Sequence, residues 1–293
     1  MTTRMQILYF TDPFCSWCWA TEPGLFRLRE VYGDQIEIRY VMGGLVEDMA
    51  NFFDTANGIR STAQVAPHWR MVGERSGQPI DERLMTDITD PHWSTWPACM
   101  AVKAAEMQGE ALGAAYLRRL RRAALAERQN VAEREVYLRL AEDVPGLDVA
   151  RLVADLSTDA PRQAFQADLH LAREYGATGF PTLLFVRLPE SPSQQPEGII
   201  VNGHRPYQTY VQVLNRLASG LTQREPRPIA ELLTMYGPLT TRELAEITGR
   251  KPDEITAQLS TAAGEGRVAR IDVPHGEFWK LVQPVSEPVA GGR

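Results

Sequence analysis

Two cysteines three positions apart constrain this chain more than any other feature. In Phe14-Cys15-Ser16-Trp17-Cys18-Trp19 they follow an apolar run, Ile7-Leu8-Tyr9-Phe10, and the turn residues Asp12-Pro13. The run reads as a central, buried strand over 6–10, and a helix is expected to begin near Cys15. A C-x-x-C at such a strand-to-helix junction reads as a thiol–disulfide redox site. At a helix N-terminus the unpaired backbone N–H groups and the positive end of the macrodipole favour a thiolate, which lowers the pKa of the first thiol. Cys15 is therefore the expected nucleophile. Cys18, about one turn on and on the same face, is the expected resolving thiol.

The same spacing also forms half of many zinc sites, but zinc needs two further ligands. The remaining cysteine is Cys99, and His68, His92, His170, His204 and His275 show no ligand spacing. Neither a metal nor a cofactor is expected. A structural disulfide explains the pair poorly, because so small a loop barely restricts the unfolded chain.

A second signal lies far along the chain. Thr178-Gly179-Phe180-Pro181-Thr182 passes from a turn into the strand-like run Leu183-Leu184-Phe185-Val186, with proline where a strand can begin. On the residues alone, an ordinary trans proline opening a strand accounts for it.

These stretches, together with Met42-Gly43-Gly44-Leu45, residues 94–105 beginning Ser94-Thr95-Trp96-Pro97-Ala98-Cys99, and Gly176-Ala177, resemble the DsbA family. The nearest branch is the cytoplasmic FrnE-like one, and the likeness covers roughly residues 5 to 220. The resemblance implies a thioredoxin fold interrupted by a helical insertion, and thiol–disulfide exchange or isomerisation as the activity. It implies that Cys15 attacks, that Cys18 resolves, and that Pro181 is a cis-proline facing them. Phe180 would then turn its backbone N–H and C=O toward the dithiol, where an extended substrate can pair as an added strand. Phe14, Trp17, Trp19, Phe180 and Thr182 are the expected substrate-binding residues. The expected substrates are proteins or low-molecular-weight thiols and disulfides, glutathione among them. Ser16-Trp17 between the cysteines includes no histidine, which in strongly oxidising members stabilises the thiolate, so a less oxidising protein is expected.

At 293 residues, 44% hydrophobic and 23% charged, the chain has a globular composition and the length of two domains. A formal net charge of −6 argues against a general binder of nucleic acid or anionic membrane. No run approaches the roughly 18 apolar residues of a membrane span. Met1-Thr2-Thr3-Arg4-Met5 shows no signal-peptide pattern, and in a reducing compartment three cysteines suit a catalytic pair better than a framework. A cytoplasmic location is expected.

Leu25, Leu28 and Val31 recur at helical spacing over 21–32, and residues 36–42 alternate with period two. A β-α-β start with parallel strands follows. Residues from about 46 to 175 read as helices, clearest over 111–126 and 134–143, with others over 149–156 and 161–175. This block is expected to cap the dithiol. Its aromatics Phe52, Phe53, Trp69, Trp93 and Trp96 fit either a substrate groove, with His92, or a core. Cys99 reads as a buried small hydrophobe. Arg118-Arg119-Leu120-Arg121-Arg122, with Leu117 and Leu120 turned inward, reads as a solvated helix face. It lacks the interleaved aromatics of a nucleic-acid platform. A polar, Pro-rich connection over 189–198 leads to a last strand at 199–201 and a helix over 207–221.

The expected fold class is α/β, a thioredoxin fold with a large helical insertion, followed by a small winged helix-turn-helix-like α+β domain. The expected organisation is a DsbA-like thioredoxin domain over 1–221, with the insertion at about 46–175, a linker over 222–228, the winged-helix-like domain over 229–282 and a flexible tail over 283–293. In that second domain a helix over 229–236 precedes Gly237-Pro238. Thr240-Thr241-Arg242-Glu243 then carries a capping-box pattern. A third helix over 253–263 and strands over 268–273 and 276–281 complete a helix-turn-helix with a wing. The third helix starts with Asp253 and Glu254 and holds no arginine or lysine, which disfavours phosphate contact. Over 226–282, seven basic and eight acidic residues leave a balance of −1. A module for a protein partner or for a homodimer is expected ahead of one for nucleic acid, the alternative for which the wing offers Arg267, Arg270 and Lys280.

The leading functional expectation is an intracellular thiol–disulfide oxidoreductase or isomerase working through Cys15-Ser16-Trp17-Cys18. The alternative is a non-catalytic redox-sensing or protease-adaptor protein that uses the thioredoxin-like fold and the C-terminal module to bind a partner protein.

Overall fold

The computed structural model describes residues 5–55, 57–189 and 196–282. The first strand, β1 (Met5–Thr11), leads through a tight loop into α1 (Ser16–Tyr32) and then β2 (Ile36–Met42). A helical block follows: α2 (Ala66–Ser76), α3 (Leu84–Asp87), α4 (Trp96–Glu106), α5 (Glu110–Ala126), α6 (Arg134–Ala141), α7 (Val149–Asp155) and α8 (Ala160–Glu174). The chain then returns to the sheet with β3 (Thr182–Arg187) and β4 (Glu197–Asn202) and closes that half with α9 (Tyr207–Leu217). The sheet order is β2-β1-β3-β4, with β1 parallel to β2 and β3 antiparallel to both its neighbours. This is the thioredoxin-like α/β arrangement, opened between β2 and β3 by the helical insertion.

From Ile7 to Phe10 β1 is an unbroken apolar run because both of its faces are covered there, the condition under which a strand loses its alternation. Ile7 and Tyr9 point to one face, where Leu25 and Leu28 of α1 and Tyr210 and Leu214 of α9 pack with Leu183 and Phe185. Leu8 and Phe10 point to the other, with Val41, Leu184 and Ala172 of α8. α9 ends at Leu217, short of the expected 221.

The C-terminal unit holds α10 (Ile229–Tyr236), α11 (Thr241–Thr248), α12 (Pro252–Gly264) and the hairpin β5 (Val268–Val273) with β6 (Gly276–Leu281). The Thr240 hydroxyl accepts from Glu243 N while the Glu243 carboxylate accepts from Thr240 N, so the anticipated capping box is formed. Each bond satisfies an orphan N–H of α11. The unit lies against α1: Phe26 sits in one core with Ile229, Leu232, Leu233 and Leu244 and stacks on Tyr236 at 4.5 Å. Burying such a side chain contributes about 1.5–3 kcal/mol.

The arginine cluster corrects the sequence reading. Arg121 is fully buried, and Arg118, Arg119 and Arg122 are largely so. Arg121 donates to Glu22, to Thr11 Oγ1 (2.6 Å) and to the Asp12 carbonyl (3.2 Å). Arg118 joins Glu22 to Glu243, and Arg119 and Arg122 share Glu127. Glu22 of α1, Glu243 of α11 and Glu127 at the end of α5 thus bring acidic partners to a helix face that composition alone marks as solvated. The expected tail over 283–293 and most of the Pro-rich connection, residues 190–195, lie outside the described residues.

Candidate functional site

The site forms where β1 ends and α1 begins. Cys15 is the N-cap of α1, and its sulfur accepts from Cys18 N at 3.2 Å. The two cysteines are joined as a disulfide, with Cα atoms 5.1 Å apart. Cys15 N donates to the Asp12 carbonyl at 3.1 Å, and Phe14 N donates to Asp12 Oδ1 at 2.9 Å. The loop is thus a side-chain-supported turn of the kind aspartate favours. Beneath it, Tyr9 donates its hydroxyl to the Cys18 carbonyl at 3.0 Å, and burial pushes that phenol well above its usual range.

Strand register brings the second motif to the same place. Phe10 pairs with Thr182, so the entry to β3 lies beside the exit of β1 from which the dithiol loop departs. The Phe180–Pro181 peptide is cis, as the resemblance implies. Thr182 Oγ1 donates to the Gly179 carbonyl at 2.7 Å and lies 3.2 Å from Asn202 Oδ1. Its hydroxyl therefore braces the turn around Pro181. Phe180 is half-buried against the cluster that contains both cysteines. Its ring lies over Gly43, where an added Cβ would come within 2.0 Å of Phe180 Cζ.

Of the expected substrate-binding aromatics, Trp17 and Phe180 keep partial exposure. Phe14 and Trp19 do not. Phe14 is 1% exposed and packs edge-on to Trp93 at 4.8 Å; Trp19 is 0% exposed, donates to the Pro79 carbonyl at 3.2 Å and meets Phe278 of β6. Both are core residues because the helical insertion closes over this side of α1. Trp69 and Trp93 belong to the same core, whereas Phe53 is exposed under Arg60 and His92 is an exposed partner of Asp48. Trp96 packs edge-on to Phe165 and donates to the Gly44 carbonyl at 3.3 Å.

Three residues at the site carry no sequence signal for a role there. His204, in the loop after β4, stacks on Trp17 at 5.5 Å, and its Nδ1 lies 3.0 Å from Thr21 Oγ1. His68 of α2 meets the Trp17 edge at 6.3 Å. Burial lowers the pKa of both histidines, with the charge of Arg242 adding to the effect at His204. Asp12, legible only as a turn former, is fully buried and accepts from Leu45 N (2.8 Å) and Thr95 Oγ1 (2.7 Å). Their separations in sequence, 33 and 83 positions, leave no local trace. Cys99 donates to Asp12 Oδ2 at 3.4 Å, and burial followed by that carboxylate pushes its thiol well up. Cys99 thus stays protonated and is a poor nucleophile. Among the described residues, Asp81, Glu82 and His275 approach a metal-like grouping, but Arg83 and Arg70 already neutralise the two carboxylates.

With this geometry in view, the thioredoxin family model matches residues 8–212. The chain belongs to the thioredoxin family. Among curated relatives, the ClpXP adapter protein SpxH of Halalkalibacterium halodurans is 30% identical over 280 residues, covering 95% of this chain and 89% of that protein. SpxH of Bacillus subtilis is 26% identical over 284 residues, covering 97% and 91%. Among solved structures, the cytosolic disulfide reductase DsbM from Pseudomonas aeruginosa superposes with a TM-score of 0.55 at 26% identity, covering 73% of this chain and 100% of that one. A putative protein disulfide isomerase from Nitrosomonas europaea shares the fold, with a TM-score of 0.58, 24% identity and coverage of 73% and 97%. No described helix is long and apolar enough to cross a membrane.

Proposed function

We propose that this protein is an adapter that binds a partner protein for a ClpXP-type protease in the cytoplasm, and that its Cys15–Cys18 pair makes that binding responsive to thiol redox state. The likeness to relatives named ClpXP adapter supports this reading because it runs through the C-terminal unit. The likeness to the disulfide reductase covers 73% of the chain. The observation that carries the proposal is the seating of the C-terminal unit on the dithiol helix: Phe26 of α1 shares its core, and Trp19, next to Cys18, touches Phe278. On this reading residues 229–282 act as a winged-helix-like module for a protein partner, after a linker over 222–228. The test is degradation of an Spx-type substrate by reconstituted ClpXP. Acceleration that differs between the disulfide and dithiol forms is expected; no acceleration in either form rejects the proposal.

A second reading, thiol–disulfide oxidoreductase, is favoured by the disulfide at the head of α1 beside the Phe180–Pro181 turn. In the reductive direction the Cys15 thiolate attacks one sulfur of a substrate disulfide and the other sulfur leaves as a thiolate. Cys18 then attacks Cys15 Sγ, releasing the second substrate thiolate and leaving the Cys15–Cys18 disulfide, so two electrons pass to substrate. Pro181 and the Phe180 backbone would hold an extended substrate, with Trp17 at its side. Equilibration with glutathione separates the directions: a midpoint near about −270 mV marks a reductase, one of about −180 mV or higher an oxidant or isomerase. Cys15→Ala is expected to abolish turnover yet leave adapter-stimulated degradation in place.

A further inference from the structure

The Asp12 carboxylate is the buried acidic group built into the dithiol loop, and the way it is held is unusual for a buried charge. Oδ1 accepts from Phe14 N at 2.9 Å, and Oδ2 accepts from Leu45 N at 2.8 Å, Thr95 Oγ1 at 2.7 Å and Cys99 Sγ at 3.4 Å. All four partners are neutral donors. The nearby cations are engaged elsewhere: Arg121 reaches the Asp12 carbonyl but pairs with Glu22, and Lys103 pairs with Asp168 and Glu106. Two of the donors are backbone N–H groups, which can only donate, so the cradle suits an ionised carboxylate. Burial pushes the group's pKa up, and the four hydrogen bonds pull against that shift without cancelling it.

The same residue fixes Cys15. Its carbonyl accepts from Cys15 N, and its carboxylate ties the loop to Leu45 after β2 and to Thr95 and Cys99 at the start of α4. We infer that Asp12 is the positioning residue of the dithiol, an unpaired negative charge that opposes thiolate formation at Cys15 and so offsets the head of α1. The helix N-terminus stabilises a thiolate; a like charge in a dry site disfavours one. A thiolate made less favourable weakens the reduced state relative to the disulfide, which places this pair away from the strongly oxidising extreme. Cys99 takes part as a donor to Asp12, not as a third redox centre.

This inference rests on the dithiol being redox-active, as in the proposed function. The test uses the full chain and two readouts that a merely structural role leaves unmoved: the pH profile of Cys15 alkylation, and the Cys15–Cys18 equilibrium with glutathione at pH 8. Asp12→Asn is expected to move the alkylation profile to lower pH. It should also shift the equilibrium about tenfold toward the dithiol, which corresponds to about 30 mV. A folded Asp12→Asn with both readouts unchanged overturns the inference. If that variant does not fold, Thr95→Val decides, because it keeps the carboxylate and removes one donor; a moved alkylation profile supports the role and an unmoved one overturns it. A wild-type pair that never exchanges with glutathione overturns the redox reading and this inference together, whereas a wild type that cycles alongside an indifferent Asp12→Asn removes only the role of Asp12.

Discussion

Arg118 of α5 donates through Nη2 to Glu243 of α11 at 2.9 Å, joining the helical insertion to the C-terminal unit beneath the dithiol helix. The same guanidinium holds Glu22 of α1 and lies 4.3 Å from the Trp19 ring centroid. Glu243 also accepts from Gln78 Nε2 at 3.2 Å, while Thr240 donates to Gln78 Oε1 at 3.0 Å. One buried polar network therefore spans three parts of the chain. Inside a protein such linked hydrogen bonds strengthen one another, so losing one member is felt by the rest.

Arg118→Met leaves the buried Glu243 carboxylate without its cation. Breaking a buried pair in this way costs about 3–5 kcal/mol, measurable by urea unfolding. The double variant Arg118→Met/Glu243→Gln buries one unpaired charge fewer and is expected to lose less than the two single losses combined. Strict additivity would show that the two side chains do not interact.

Gly43→Ala forces its new methyl into the Phe180 ring. Overpacking of this kind costs about 1–3 kcal/mol, and relief requires the ring to leave its place beside the dithiol. Lower stability and altered glutathione exchange are expected together. Adding Phe180→Ala should recover part of the stability, and no recovery places the clash elsewhere.

Glu30 gives the attachment of the C-terminal unit a pH dependence. Burial pushes its carboxyl up, but hydrogen bonds from Arg227 and Tyr236, with the Arg227 charge, outweigh this and hold it below the ordinary range. A depressed carboxyl stabilises the fold fully above its unfolded pKa of about 4.3, and that contribution is lost as pH falls through the folded value. The stability gap between wild type and Glu30→Gln should be present at pH 7 and shrink at pH 3. A gap independent of pH would falsify the linkage.

His204 titrates in the opposite chemical sense with the same sign. Burial, then the charge of Arg242, lowers its pKa, so the folded protein binds its proton less readily than the unfolded chain. The stability from the neutral ring stacked on Trp17 is complete above about pH 6.5 and is lost as pH falls below that. NMR titration, with His204→Asn to assign the signal, should give an apparent pKa under 6.5. A value at or above 6.5 contradicts the buried stack.

The dithiol, the β-α-β opening, the helical character of the insertion and the α11 capping box were all legible in local sequence, because each depends on neighbours within a few positions. Cys15 and Cys18 sit one turn apart whatever the rest of the chain does, and the Thr240 and Glu243 side chains reach each other across a single turn. The apolar run in β1 likewise announced a strand covered on both faces.

Position relative to distant residues was not legible. Trp19 and Trp17 look equivalent in sequence, yet the insertion buries one and leaves the other half-exposed between two histidines. Arg118-Arg119-Leu120-Arg121-Arg122 looks like a solvated face until Glu22 and Glu243 arrive from separations of 96 and 125 positions. Asp12 reads as a turn former because its bond to Phe14 N is local; its bonds to Leu45, Thr95 and Cys99 exist only once β2 and α4 converge on the loop. Short-range geometry and hydrophobic period determined which elements form. Burial and charge pairing depend on which surfaces meet, and only the tertiary structure decided those.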